Sequence, residues 1–345
     1  MIDESVRRQF PGAAGYLNTA SLGLPPQVTV DAVSAALADW QAGAATAPGY
    51  DRFIDEARAS FATMVDVPAA QVAIGAQVSP LVGMAVTVLE PRSRVLVPEG
   101  EFTSVVFPFL TRDDLGLELV TAPLERLADA IDPGTAMVAF SLVQSANGRL
   151  AAVGAIREAA AAAGALTLAD ATQGAGWLPF RADDFDITAT SAYKWLLCPR
   201  GTAFMTVRPE LLERVQPLYA GWYSGEEPWS SIYGLPLRSA SDARRLDLSP
   251  AWLSWVGTAS SLRLLNEVGV EAIHRHDLRL ANLVRAGLDL PPGDSTMLSL
   301  ELAPDFDASR LDGLRTAFRA GRLRAGFHLY NTEDDVERLL NALCD

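Results

Sequence analysis

Lysine is all but missing from this 345-residue chain: among 28 Lys and Arg residues, Lys194 is the single lysine. A chain that uses arginine everywhere else keeps a primary amine at one position, and a primary amine can form a Schiff base where a guanidinium cannot. Cysteine is nearly as scarce, with Cys198 and Cys344 the whole complement. Two thiols without a C-x-x-C spacing exclude a disulfide framework and suit a reducing compartment, so a cytoplasmic protein is expected. The three histidines are His274, His276 and His328. An H-x-H pair on a helix aims its rings at different faces, and no metal site is expected.

Positive charge is lacking as well. The formal net charge of -14 argues against a nucleic-acid partner or an anionic membrane surface, because phosphate recognition on that scale needs clustered Lys and Arg. An anionic small molecule must then be met by a local pocket. The opening MIDESVRRQF has no apolar core of a secretory signal, and no uncharged apolar run reaches membrane-spanning length. Arg157 and Glu158 interrupt the longest alanine-rich stretch, Ala151 to Ala169.

What is present is the balance of an ordinary globular protein, 49% hydrophobic and 20% charged, at a length that favours a large unit plus a smaller one. From Gln71 onward strand-like runs alternate with amphipathic or alanine-rich runs, the pattern of a mainly parallel α/β sheet wrapped by helices. Seven strands are expected: Gln71 to Ile74, Arg94 to Val97, Leu117 to Val120, Thr135 to Phe140, Leu166 to Ala169, Ile187 to Thr190 and Ala203 to Val207. Helices are expected at Pro80 to Leu89, Thr103 to Thr111, Leu124 to Ile131 and Val153 to Ala163. Tyr219 to Pro250 reads as a long irregular segment, and such loops are uncommon unless functional. Helices at Trp252 to Val268 and Val270 to Leu288 follow, then strand, helix, strand and helix. The expected division is a large ligand-binding domain over 20–250 and a small α+β domain over 251–345 that takes in 1–19.

The chemistry concentrates at two strand ends. In LADATQGAGW an apolar strand ends on Asp170, and in DITATSAYKW the next strand leads to Ser191, Tyr193 and Lys194. Ligand groups in open α/β sheets sit at such carboxyl ends, so one crevice can hold both Asp170 and Lys194. A carboxylate beside a lone amine suits pyridoxal 5'-phosphate: Asp170 keeps the ring nitrogen protonated, and Lys194 forms the Schiff base and later moves protons at the substrate α-carbon. The turn at Gln77, Val78 and Ser79, ahead of an apolar helix, is a ready phosphate site, with Ser191 and Tyr193 as further donors. Phe102, after Glu99-Gly100-Glu101, is placed to stack on the pyridine ring.

Taken together, Asp170-x-x-Gln173, Ser191-x-Tyr193-Lys194 and Pro199-Arg200-Gly201, with Ser145-Ala146-Asn147-Gly148 and Arg324, resemble the class V aminotransferase and cysteine desulfurase group across almost the whole chain. The resemblance implies the fold-type I architecture of pyridoxal-phosphate transferases. It implies Gln173 and Ser145 near the phenolic oxygen of the cofactor, and Arg324 on the substrate α-carboxylate. It also implies a homodimer in which Thr258 reaches the phosphate site of the neighbouring subunit. Phe102 stands where many relatives have a histidine. The interval Leu288 to Arg322 has no cysteine, so persulfide chemistry of the desulfurase kind is disfavoured.

Within the group, YLNTASLGLPP, AGWYSGEEPW and HLYNTEDDVERL are similar to the ergothioneine-biosynthesis carbon-sulfur lyases. That similarity implies β-elimination from a cysteine sulfoxide conjugate of trimethylhistidine, with Asn18 and Thr19 among the substrate-binding residues. The cationic betaine of such a substrate would be met by Trp222, Tyr223 and Trp229 through cation-π contact, with Glu226 and Glu227 adding negative charge. An aminotransferase or an isopenicillin-N-epimerase-like enzyme is the alternative, since both use the same lysine.

Overall fold

The computed structural model describes residues 2–344. Seven strands form one sheet in the order β1-β7-β6-β5-β4-β2-β3. They are β1 (Val72–Gly75), β2 (Arg94–Pro98), β3 (Glu118–Ala122), β4 (Thr135–Ser141), β5 (Leu166–Asp170), β6 (Ile187–Ser191) and β7 (Ala203–Val207). Every pairing is parallel except those of β7, which runs antiparallel to both β1 and β6. Among the described residues ten α-helices accompany the strands: α1 (Glu4–Arg7), α2 (Gln27–Gln41), α3 (Asp51–Met64), α4 (Val78–Ala85), α5 (Thr103–Leu110), α6 (Val153–Ala163), α7 (Pro209–Leu212), α8 (Trp252–Val268), α9 (Val270–Gly287) and α10 (Glu333–Cys344).

Alternation along each strand feeds two apolar layers. On β4, Val138 and Phe140 join the layer closed by α3, α6 and α8, whereas Met137 and Ala139 join the layer closed by α4 and α5. Both faces are therefore covered, which is why the strands read as nearly continuous apolar runs. A second sheet, β8 (Met297–Leu300), β10 (Arg322–Gly326) and β9 (Ala317–Arg319) in that spatial order, packs its own apolar cluster with α9 and α10. The N-terminal segment joins this sheet through bridges from Tyr16 to Arg315 and from Asn18 to Gly326. Leu17 is buried in its core.

Two expected helices are corrected. Leu124 to Ile131 forms only a 3-10 turn over Leu124–Arg126, because so short a span does not repay helix nucleation before Pro133 and Gly134. The helix expected after β8 is likewise a single turn, Ala308–Leu311. Asp307 caps it through Ser309, and Gly313, at φ +86, turns the chain away directly afterwards. The segment from Tyr219 to Pro250 contains 3-10 turns at Trp222–Ser224, Pro228–Ser230 and Ala243–Leu246 and one bridge from Gly225 to Ser239.

Candidate active site

The carboxyl ends of β2, β4, β5 and β6 open onto a cavity of about 130 Å³. Asp170 closes β5 and Ser191 closes β6, with Asp170 in register opposite Ala189. The chain then turns, so that Lys194 enters the same cavity. Two close approaches fix that turn. A Cβ at Gly23 would collide with the Lys194 carbonyl, and one at Gly176, held at φ +103, would collide with the Trp195 carbonyl. Glycine at both positions lets two loops lie directly on the lysine-bearing backbone.

Lys194 is 6% exposed, and its Nζ has no hydrogen bond or ion pair among the described residues. Nζ lies 5.5 Å from the Phe102 ring centroid and 5.7 Å from that of Tyr193. Burial drives the amine down to about 8, opposed by Asp170 and assisted by Arg324, Arg319 and Arg200. Burial likewise drives the Asp170 carboxyl up to about 6, against the hydrogen bonds from Thr172 and with a further push from Glu101. One Asp170 oxygen accepts the Thr172 N–H at 2.7 Å. The other has no protein partner among the described residues and is free for a ligand proton.

Arg324 projects from β10 and is 2% exposed. It donates from Nη1 to the Ser145 carbonyl at 2.6 Å and from Nη2 to the Ser21 hydroxyl at 2.7 Å. Its Nε is buried without a partner. No carboxylate among the described residues pairs with it, although a buried guanidinium without an anion is costly. Burial, with Arg319 nearby, pushes Arg324 down to about 10, so it remains a cation at neutral pH.

Gln77, Val78 and Ser79 line the cavity at the N-terminus of α4, which no side chain caps. Because Pro80 carries no N–H, Val78 and Ser79 supply the free backbone donors there. Ser145, Gln173, Ser191 and Tyr193 also line the cavity. Gln173 donates to the Ser145 hydroxyl at 3.1 Å and accepts the Trp195 indole N–H at 2.7 Å, so it braces the residue after Lys194.

Other expected site residues lie elsewhere. Tyr223 and Trp229 donate to the two oxygens of Asp51 at 3.0 and 2.6 Å, and the Trp222 ring packs 4.8 Å from that of Trp229. This aromatic group does not line the cavity, because Asp51 at the start of α3 draws it aside. Thr258 is buried within α8, where its hydroxyl donates to the Ser254 carbonyl at 2.9 Å and meets that of Thr202 at 3.0 Å. Its side chain is thus fully enclosed within its own chain. Asn18 pairs with Gly326 and the Thr19 hydroxyl meets that of Tyr330; Ser21 is the residue of this segment that touches Arg324. Cys198 is buried, and burial pushes its thiol up to about 12.

Three further contributors were given no site role from the sequence. Glu101 accepts from the N–H of Phe102 at 2.7 Å, the N–H and hydroxyl of Ser141 at 2.8 and 2.6 Å, and Gln144 at 2.8 Å, tying the ends of β2 and β4 together. Its signal was an acid at a strand end beside Phe102. Arg200 lines the cavity with its guanidinium 5.1 Å from the Tyr193 centroid. His328, fully buried, has Nδ1 3.0 Å from Asp277 and Nε2 2.9 Å from the Trp195 carbonyl, so it holds the lysine-bearing turn from the small-sheet side.

These residues fit pyridoxal phosphate: an unpartnered buried amine, a carboxylate with one free oxygen, an uncapped helix end, and the Phe102 ring, 44% exposed, over the amine. The comparisons agree. Residues 16–300 match the family model described as aminotransferase class-V. An uncharacterized aminotransferase of Bacillus subtilis, YcbU, is 27% identical over 83% of this chain and 82% of its own length. Isopenicillin N epimerase of Streptomyces clavuligerus is 28% identical over 84% of this chain and 83% of its own. Among solved structures, the complex of the cystine C-S lyase C-DES with cysteine persulfide superposes with a TM-score of 0.86 at 19% identity, covering 98% of this chain and 99% of that one, a likeness of fold. The chain belongs to the class V aminotransferase family and is a pyridoxal-phosphate-dependent enzyme of fold-type I.

Proposed function

We propose that the enzyme is a carbon-sulfur lyase that cleaves a cysteine S-conjugate sulfoxide, specifically hercynylcysteine sulfoxide in ergothioneine biosynthesis. The observation that carries this is the unpartnered, buried Lys194 amine together with a buried Arg324 that lacks an acid and whose charge is felt at that amine, a setting for an α-amino acid. Arg324 takes the α-carboxylate through its planar fork and so orients the α-carbon toward Lys194. Bound at this site, pyridoxal phosphate supplies the electron sink that makes the α-proton removable. Lys194 Nζ takes that proton, while the free oxygen of Asp170 would keep the cofactor's ring nitrogen protonated. The Val78 and Ser79 N–H groups would hold its phosphate, and Phe102 would stack on its ring.

Loss of the α-proton lets the Cβ–S bond break with its electron pair leaving on sulfur. The products are a sulfenic acid and 2-aminoacrylate, and water converts the latter to pyruvate and ammonium without any external oxidant or reductant. No enzyme thiol is needed, which suits a chain whose Cys198 is buried and held protonated and whose Cys344 lies at the far end of α10. A cystine C-S lyase has this fold, so elimination is a chemistry the architecture accommodates.

The test is pyruvate release from a cysteine S-conjugate sulfoxide by the holoenzyme with no 2-oxo acid present. A strict requirement for a 2-oxo acid would replace this proposal with transamination, and inversion at the α-carbon without pyruvate would replace it with epimerisation. A homodimeric, cytoplasmic enzyme completes the proposal. Tyr233 and Leu235 are 86% and 93% exposed in one subunit, an apolar surface that a second copy would cover. A monomeric mass in solution would remove the dimer, and recovery of the enzyme outside the cytoplasmic fraction would remove the location.

A further inference from the structure

Arg319 sits on β9, in register opposite Arg322 of β10. Its Nη2 comes within 3.4 Å of the Ser21 hydroxyl, the same oxygen that accepts Nη2 of Arg324 at 2.7 Å. Its Nη1 donates to the Phe318 carbonyl at 2.7 Å. Two guanidinia thus converge on one serine oxygen, and the charge of both is felt at the Lys194 amine. Like charges so placed repel one another unless an anion joins them.

The contrast within the hairpin is informative. Arg322 has its own acid, Glu301, at 2.9 Å. Arg319 and Arg324 have none among the described residues, in a chain whose net charge is -14. Acids are plentiful in this sequence, and the hairpin leaves uncompensated the two arginines that meet at Ser21.

We propose that Arg319 and Arg324 form a tandem anion site that selects substrates with two anionic groups: buried Arg324 takes the α-carboxylate, and exposed Arg319 takes a second carboxylate carried on the substrate side chain. This rests on the assignment of Arg324 above and narrows the substrate to an amino acid with an anionic side-chain terminus. A conjugate of a betaine amino acid meets that requirement, since the betaine retains its carboxylate.

The test compares S-carboxymethyl-L-cysteine with its neutral isostere S-carbamoylmethyl-L-cysteine on the full-length holoenzyme, with binding read from the change in cofactor absorbance. Wild type should bind the carboxylate ligand roughly threefold to fivefold more tightly, the range of an exposed ion pair. Arg319→Ala should abolish that preference while leaving the affinity for the amide unchanged, Arg319→Lys should retain part of it, and added salt should narrow it in wild type. A preference that survives Arg319→Ala, equal weakening of both ligands, or wild type that binds neither overturns the proposal. Pyruvate from the corresponding sulfoxides is read separately. A binding preference that follows Arg319 without any pyruvate would sink the lyase and leave the tandem site standing.

Discussion

Two clusters of buried charge flank the large sheet, and they differ in how completely they are paired. In the first, both Nη atoms of Arg58 reach the Asp247 carboxylate, at 3.2 and 2.6 Å. Arg58 also donates to the Val72 carbonyl at 2.5 Å, and Asp247 accepts the Ile74 N–H at 2.9 Å. In the second, Lys194 has no polar partner among the described residues, Asp170 keeps an oxygen free, and Arg324 touches only a carbonyl and a hydroxyl. The same residue types serve opposite ends. A closed pair ties α3 to β1 and to the loop before α8, and its charges are spent on one another. The open cluster leaves its charges available to a cofactor and a substrate, and the fold carries the cost of burying them.

The strongest way to break the contrast is Lys194→Ala. Turnover should fall by about 10³-fold or more, because both covalent attachment and proton transfer at the α-carbon are lost. Borohydride should no longer fix the cofactor to the protein. The apo-protein should melt no lower than wild type, since the change removes a buried, unpartnered amine. A large drop in melting temperature would instead make Lys194 part of the framework and erase its difference from Arg58.

Arg58→Met is the converse experiment. It strands the buried Asp247 carboxylate, whose pKa burial already raises to about 6 while Arg58 pulls it down. A loss of about 3–5 kcal/mol in unfolding free energy is expected, read from chemical denaturation. The folded fraction should keep its turnover. A variant that loses activity at unchanged stability would place the pair in the active site after all.

The same contrast explains what was legible in the sequence. The seven large-sheet strands and the helices over Val153–Ala163 and Trp252–Val268 follow from apolar runs bounded by glycine, proline and charge, and the structure moves their ends by a residue or two. Lys194 and Asp170 stood out because each closes a strand, and because the amine has no duplicate in the chain. Glu101, Ser21 and His328 were not legible as site residues, since their importance lies in contacts between segments far apart in sequence. Ser21 meets Arg324 across 303 positions, and His328 meets Trp195 across 133. The placement of Trp222 and Tyr223 likewise depends on a remote contact. Their composition suited a cation-binding loop, but Asp51, remote in sequence, claims the Tyr223 and Trp229 donors and draws Trp222 along with them.

The mildest probe of the open cluster is pH. Burial holds the Lys194 amine at about 8, well below the ordinary lysine value, and only the neutral amine attacks a carbonyl. Below that pH the amine is protonated and capture of pyridoxal phosphate by the apo-enzyme is slow; as the pH rises through about 8 the neutral fraction grows and capture accelerates. The rate should increase roughly tenfold from one pH unit below the midpoint to one unit above, measured by stopped-flow absorbance. A midpoint close to that of a free lysine would mean that the amine meets the cofactor while still solvated, before the loops containing Gly23 and Gly176 have closed onto its backbone. That outcome would relocate the cost of the open cluster from the folded apo-protein to the act of binding.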